Sequence, residues 1–201
     1  MEQQADTYKT IAEAGEGLYK EKGSRFIAFA YPVCTTDEVK NLVEAKRKEY
    51  HDARHVCYVY RINPEKIEFR ANDDGEPSGT AGRPMLGVLQ SKELVNICII
   101  CVRYFGGIKL GTSGLANAYK VATEDALLHC ETIERTIDAV FRIHFDYLYL
   151  NDVMRITKDM KPDVLSQEFN LACDMILRIR KQQADALKER LGKVQTLKFI
   201  E

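Results

Sequence analysis

The sequence predicts an α+β fold in two domains, residues 1–132 and 133–201, and three observations point there. Short runs of alternating apolar and polar residues, the mark of half-buried strands, are interspersed with 3.6-periodic apolar stripes that read as helices. Eight of the twelve glycines lie between Gly75 and Gly114 and none lies between 115 and 191, which concentrates the demanding loops in the first part. Near residue 132 a long helical pattern gives way to cleaner alternation: Ile137, Ala139, Phe141, Ile143 and Phe145 against Asp138, Arg142, His144 and Asp146. With 45% hydrophobic residues over 201 positions, the chain can build a sizeable core and is not disordered at large.

The first domain opens with two strands, 11–20 and 24–33, turned at Lys22-Gly23. Thr35-x-x-Glu38 is a capping box, so a helix starts at Thr36 and runs to about Tyr50, with Val39, Leu42, Val43 and Tyr50 on one face. His55 to Arg61 is a strand, and Asn63-Pro64 turns the chain into a short strand at 67–70. After Asn-Asp-Asp-Gly-Glu-Pro-Ser-Gly-Thr-Ala-Gly-Arg-Pro (72–84) comes a helix from Ala81 to Gln90, where Pro84 sits in the first turn and removes no bonded N–H. Leu94 to Tyr104 is the central strand. A glycine-rich loop then feeds a helix to about Cys130, with Leu115, Ala118, Tyr119, Ala122 and Ala126 inward. The second domain reads β-α-β-β-α-β: the alternating strand above, a helix at 152–160, a hairpin of Val164–Phe169 and Leu171–Arg180, a helix at 182–191 and a strand at 196–200. Val153, Ile156 and Met160 face inward on the first helix; Leu171, Cys173, Met175, Leu177 and Ile179 share one strand face.

Composition narrows the function. The net charge is −1, so nucleic acid is not drawn by bulk charge and any contact comes from a local basic patch. The start, MEQQADTYKT, has no apolar segment of a secretory signal, and the longest apolar run, Ile97 to Val102, is too short to span a bilayer. A cytoplasmic protein without membrane contact is expected. Its six cysteines then read as free thiols, mostly buried. Cys98 and Cys101 form a C-x-x-C pair, but on a strand residues three apart point to opposite faces, so the two sulfurs do not share a metal. No metal and no cofactor is expected.

Two loops carry the chemistry. In Arg103-Tyr-Phe-Gly-Gly-Ile-Lys-Leu-Gly-Thr-Ser-Gly114, glycines 106, 107, 111 and 114 permit positive φ and close approach of a ligand. The helix that follows presents unpaired N–H groups, a ready seat for phosphate or carboxylate. Arg103 and Lys109 add charge; Thr112 and Ser113 add hydroxyls. A Walker loop is excluded because Thr112 stands where Lys is required. The plainer alternative is a tight turn with close helix packing. In the second loop Asp73, Asp74 and Glu76 form a possible acidic site for a hard cation, yet Asp-Asp-Gly is also a turn sequence and Ser78 or Thr80 could cap the next helix. His51-Asp-Ala-Arg-His55 imitates H-E-x-x-H, but the helix ends before it and a strand begins at His55, so the rings splay apart. Arg54 and His55 read as ligand or partner contacts.

Asp52-Ala-Arg-His-Val-Cys57, Asp73-Asp-Gly-Glu-Pro-Ser-Gly-Thr-Ala-Gly82 and Arg103-Tyr-Phe-Gly-Gly-Ile-Lys-Leu-Gly-Thr-Ser-Gly-Leu115, in that order, resemble the IMPACT family, and specifically its bacterial YigZ-type members. The resemblance covers about residues 17–130, and the remainder resembles the C-terminal domain that bacterial members add. Ser113 departs from the pattern, where glycine is the more usual residue. The resemblance implies a first domain of the ribosomal-protein-S5 domain-2-like fold and a ferredoxin-like second domain. It also implies translation regulation: eukaryotic relatives restrain an amino-acid-starvation kinase, a stress response whose kinase bacteria lack. No catalytic residues come with it.

Three functions follow as expectations. The first is a non-enzymatic, translation-associated regulator that binds RNA or the ribosome, with Arg54, His55, Arg83, Arg103, Tyr104 and Lys109 meeting phosphates or bases and no sequence-specific DNA binding. The second is an enzyme or sensor for a small phosphorylated ligand, its phosphate cradled by the glycine loop at Gly106, Gly107 and Gly111, with Asp73, Asp74 or Glu76 acting on it or holding Mg²⁺. The third is an adaptor that binds a protein partner.

Overall fold

The computed structural model describes residues 6–200. They divide into two compact units, one from Tyr8 to Arg135 and one from Thr136 onward that includes Asp6 and Thr7. Each is α+β.

The first unit runs β1 (Thr7–Ile11), β2 (Gly15–Glu21), β3 (Ser24–Pro32), α1 (Thr36–Glu49), β4 (His55–Ile62), β5 (Glu68–Asn72), α2 (Gly82–Ser91), β6 (Ile97–Tyr104), α3 (Gly111–Leu128) and β7 (Thr132–Thr136). Five strands form an antiparallel sheet in the order β2-β3-β6-β4-β5, and β1 pairs with β7 apart from it. The β2–β3 hairpin turns on Lys22 and Gly23, both at positive φ (46° and 79°), the two-residue turn whose twist suits a hairpin. Thr35 and Glu38 complete the expected capping box on α1. Strands β1 and β7 were not legible in advance: five residues with one or two apolar side chains carry no alternation.

The sheet separates two apolar layers. On one face α1 lays Val39 and Val43 against Phe29, Ile100 and Val102. On the other α2 and α3 bury Met85, Leu89, Ala118 and Tyr119 against Phe26, Ile99 and Cys101. β6 is buried on both sides along nearly its whole length, as its near-continuous apolar run requires. Cys98 falls in the α1 layer and Cys101 in the α2/α3 layer, the opposition that strand alternation demands.

The second unit runs β8 (Asp138–Asp146), a 3-10 turn at Tyr147–Tyr149, α4 (Leu150–Met160), β9 (Asp163–Phe169), β10 (Ala172–Arg180), α5 (Lys181–Leu191) and β11 (Lys198–Ile200). This is the expected β-α-β-β-α-β order, with a sheet ordered β11-β8-β10-β9. Phe141, Ile143, Phe145, Met175 and Leu177 meet Val153, Ile156 and Leu187 in its own core. Leu171 does not join them. It lies in the hairpin turn before β10, 95% exposed, and its carbonyl accepts the Tyr147 N–H.

A candidate anion-binding cavity at the start of helix α3

The start of β4 and the end of β6 lie side by side, with His55 paired to Arg103. Alternation sends Arg103 to the α2/α3 side and Tyr104 to the α1 side. Arg103 is buried, and its Nη1 donates to Glu76 Oε1 at 2.7 Å and Oε2 at 2.9 Å. The Tyr119 hydroxyl donates to Glu76 Oε1 at 2.8 Å, and the Cys57 thiol lies 3.4 Å behind it. Burial pushes both the Cys57 thiol and the Tyr119 hydroxyl up, so both stay protonated and able to donate. Arg103 thus has an internal counter-ion. Its Nε, also buried, has no hydrogen-bond partner, and the guanidinium stands 5.4 Å from the Phe26 ring centre and 5.6 Å from that of Phe105.

All three acidic-loop carboxylates are engaged inside the protein. Asp73 accepts the N–H groups of Gly79 (2.8 Å), Ala81 (3.0 Å) and Gly82 (2.8 Å). Burial alone would raise its pKa, but these three bonds outweigh it and hold the carboxyl below its usual range. Asp73 therefore caps α2, not Ser78 or Thr80; the Thr80 hydroxyl donates instead to the Pro77 carbonyl at 2.6 Å. Asp74 accepts from the Val56 N–H at 2.7 Å and from Arg47 at 2.6 Å. Its carbonyl lies 2.8 Å from His55 Nδ1. A carbonyl only accepts, so Nδ1 carries the hydrogen of that bond and Nε2 is left as the free ring nitrogen. Glu76 is the partner of Arg103. The segment 51–55 links the end of α1 to β4, so His51 and His55 share no helical face.

The glycine loop begins packed and ends open. The Gly106 N–H donates to Ser24 Oγ at 3.1 Å, and a Cβ at Gly106 would overlap the Gly23 carbonyl carbon. Close approach, not φ, is why glycine stands there. Positive φ is confined in this loop to Gly107 (88°) and Gly111 (72°), and Gly114 is an ordinary helical residue. From Gly107 to Ser113 the chain is exposed or half-exposed. Helix α3 starts from Leu110, whose side chain cannot accept a hydrogen bond, and among the described residues no other side chain accepts from its first-turn N–H groups.

The first two residues of the helix, Gly111 and Thr112, line a cavity of about 420 Å³. It gathers Arg54, His55, Lys109 and Thr112 at its polar side, with Gly111, Glu76 and Arg103 also in its wall. Among the described residues, Arg54 and Lys109 form no hydrogen bond or ion pair. Tyr104 lies elsewhere, donating to Asp52 Oδ1 at 2.7 Å beneath the Arg25 guanidinium. Arg83 is exposed on α2, and Gly106, Gly107 and Ser113 do not line the cavity. Pro77, Phe105, Leu110 and Leu115 supply an apolar wall that sequence reasoning missed. The available signal was an aromatic inside a glycine loop: Phe105 is 47% exposed, as a core residue would not be.

The arrangement defines a two-unit α+β protein whose first unit presents a basic cavity at a helix N-terminus. The Impact N-terminal domain matches residues 22–127. The chain is 40% identical over 147 residues to IMPACT family member YvyE of Bacillus subtilis, covering 73% of this chain and 68% of that one. It is 33% identical over 150 residues to IMPACT family member YigZ of Escherichia coli, covering 74% of each. It therefore belongs to the IMPACT family. A crystal structure described as a hypothetical protein, 26% identical, superposes with a TM-score of 0.76 over 98% of this chain and 99% of the other. Among the described residues no helix is long and apolar enough to cross a membrane.

Proposed function

We propose that this protein is a non-enzymatic, cytoplasmic regulator associated with translation, which binds RNA or the ribosome through the cavity at the start of α3. In this reading residues 1–132 form an S5 domain-2-like domain and 133–201 a ferredoxin-like one. The observation that carries it is the uncapped α3 N-terminus opening beside two cations, Arg54 and Lys109, that no carboxylate neutralises. Backbone N–H groups and a helix dipole favour an anion, and unpaired side-chain cations add to that field. The Phe105 ring at the rim offers a face to a base. Membership of the IMPACT family, whose resemblance implies translation regulation, supports a role in translation.

Fluorescence anisotropy with labelled ribosomal RNA fragments across a salt series tests the proposal. Binding should weaken steeply with salt. Lys109→Ala and Arg54→Ala should each lower affinity about three- to tenfold at low salt and shallow the salt slope by roughly one phosphate contact. Absence of any association at low salt sinks the proposal. The cavity volume also fits a mononucleotide-sized ligand, which favours the small phosphorylated ligand as the second reading. A thermal-shift screen of nucleotides separates the two: a rise lost in Lys109→Ala, without RNA affinity, selects the second.

A further inference from the structure

On the opposite face of the same sheet, a groove of about 360 Å³ lies between α1 and the β4–β5 ladder. We propose that it is a stacking platform for two bases of single-stranded RNA, a second contact surface that rests on the RNA-binding reading above and deepens it.

Tyr58 and Tyr60 stand two residues apart on β4, so both rings rise from one face, about 7 Å apart along the strand. Each ring is half-buried against the α1-side core and open on its remaining surface. Neither hydroxyl forms a hydrogen bond among the described residues. The ladder places Asn72 directly across from Tyr58 and Arg70 directly across from Tyr60, on that same face. Arg70 is exposed and, among the described residues, its side chain makes no hydrogen bond or ion pair. Across the groove α1 contributes Lys40 and Arg47, against one lining carboxylate, Glu44. Lys40 holds Asp37 at 2.8 Å, but both side chains are largely exposed, so the pair is weak and yields readily to a phosphate.

Two aromatic faces flanked by a free guanidinium suit bases with a phosphate between them, and stacking on aromatic rings needs bases that are not already paired. The ring spacing is twice the 3.4 Å of stacked neighbours, so the bases would lie splayed, one to a ring. Position supports a shared ligand. Arg47 lines this groove and bonds Asp74, whose carbonyl holds His55 in the wall of the first cavity. One strand of RNA passing over the 73–76 loop can therefore engage both sites.

The test uses the full chain, a labelled twelve-nucleotide oligouridine, anisotropy at low salt, and ultraviolet crosslinking read by mass spectrometry. Tyr58→Ala, Tyr60→Ala and Arg70→Glu should each weaken binding about tenfold. Tyr58→Phe and Tyr60→Phe should bind as the parent does, because a ring suffices. Arg70 is exposed, so its variant reports binding even if an alanine at Tyr58 impairs folding. Uridine adducts on Tyr58 or Tyr60 support the platform. Parent affinity in Arg70→Glu and Tyr60→Ala, with adducts confined to Phe105 and His55, overturns the platform and leaves the cavity reading standing. Loss in the platform variants with none in Lys109→Ala and Arg54→Ala supports the platform and removes the cavity from the account. If the parent chain does not bind the RNA at all, both fall together.

Discussion

Arg103 carries a charge that is met inside the protein, because Glu76 reaches it through a loop 27 residues away and Tyr119 steadies the carboxylate from α3. Removing one partner of such a pair leaves the other buried and uncompensated. Glu76→Ala should therefore cost about 3–5 kcal/mol in urea unfolding, whereas Glu76→Leu combined with Arg103→Met should recover most of that loss. A double variant no more stable than the single one would show that the pair's geometry, not its charge, is what the fold needs. Asp73 is the second residue-scale case. Its carboxyl is held below its ordinary 3.8 by three backbone N–H groups, so the stability it contributes is present above about pH 4 and is lost as pH falls through the lowered value. Asp73→Asn keeps the shape but trades one acceptor for an NH₂ group. It should cost about 1–2 kcal/mol at pH 7 and flatten the acid limb of a stability–pH curve. Spacing in the sequence reveals turn chemistry at Asp73 but not which N–H groups it meets. It likewise cannot show that Glu76 and Arg103 face each other. Tyr104 was different: strand alternation alone places it on the face opposite Arg103.

At the scale of elements, what reads out of the sequence is whatever is locally determined. The capping box at Thr35 and Glu38, the stripe on α3 and the alternation of β8 each depend on neighbours within a few positions, and each stands where expected. Thr35→Ala should lower stability by about 1 kcal/mol in thermal or urea unfolding, since it frees the Glu38 N–H that the hydroxyl now accepts at 3.2 Å. Lys22 tests the hairpin. It sits at φ 46°, where a long L side chain is strained and asparagine is at ease, ahead of a glycine that already suits the turn. Lys22→Asn should raise stability by about 0.5 kcal/mol, and a measured loss would mean that the lysine stem packs usefully on the hairpin. Elements set by partners far along the chain were not legible. β1 exists because β7 pairs with it more than 120 residues later, and Leu171 reads as strand until the hairpin turn claims it.

For the whole molecule the governing fact is that each unit encloses its own apolar core, one built on β6 and the other on β8 and β10. A net charge of −1 gives the chain no bulk field that acts at long range, so function at this scale depends on which unit stays folded. Ile99 and Leu177 are both fully buried, one in each core. Truncating either to alanine removes similar apolar volume and should cost about 2–5 kcal/mol locally. Hydrogen exchange read by mass spectrometry should then show Ile99→Ala loosening peptides between 8 and 135 while those from 138 to 200 keep their protection, and Leu177→Ala doing the reverse. RNA affinity at low salt should follow the first pattern and not the second, since both proposed contact surfaces belong to the first unit. Uniform loss of protection from either substitution would mean that the two cores unfold as one cooperative block, and the division of labour between them would have to be abandoned.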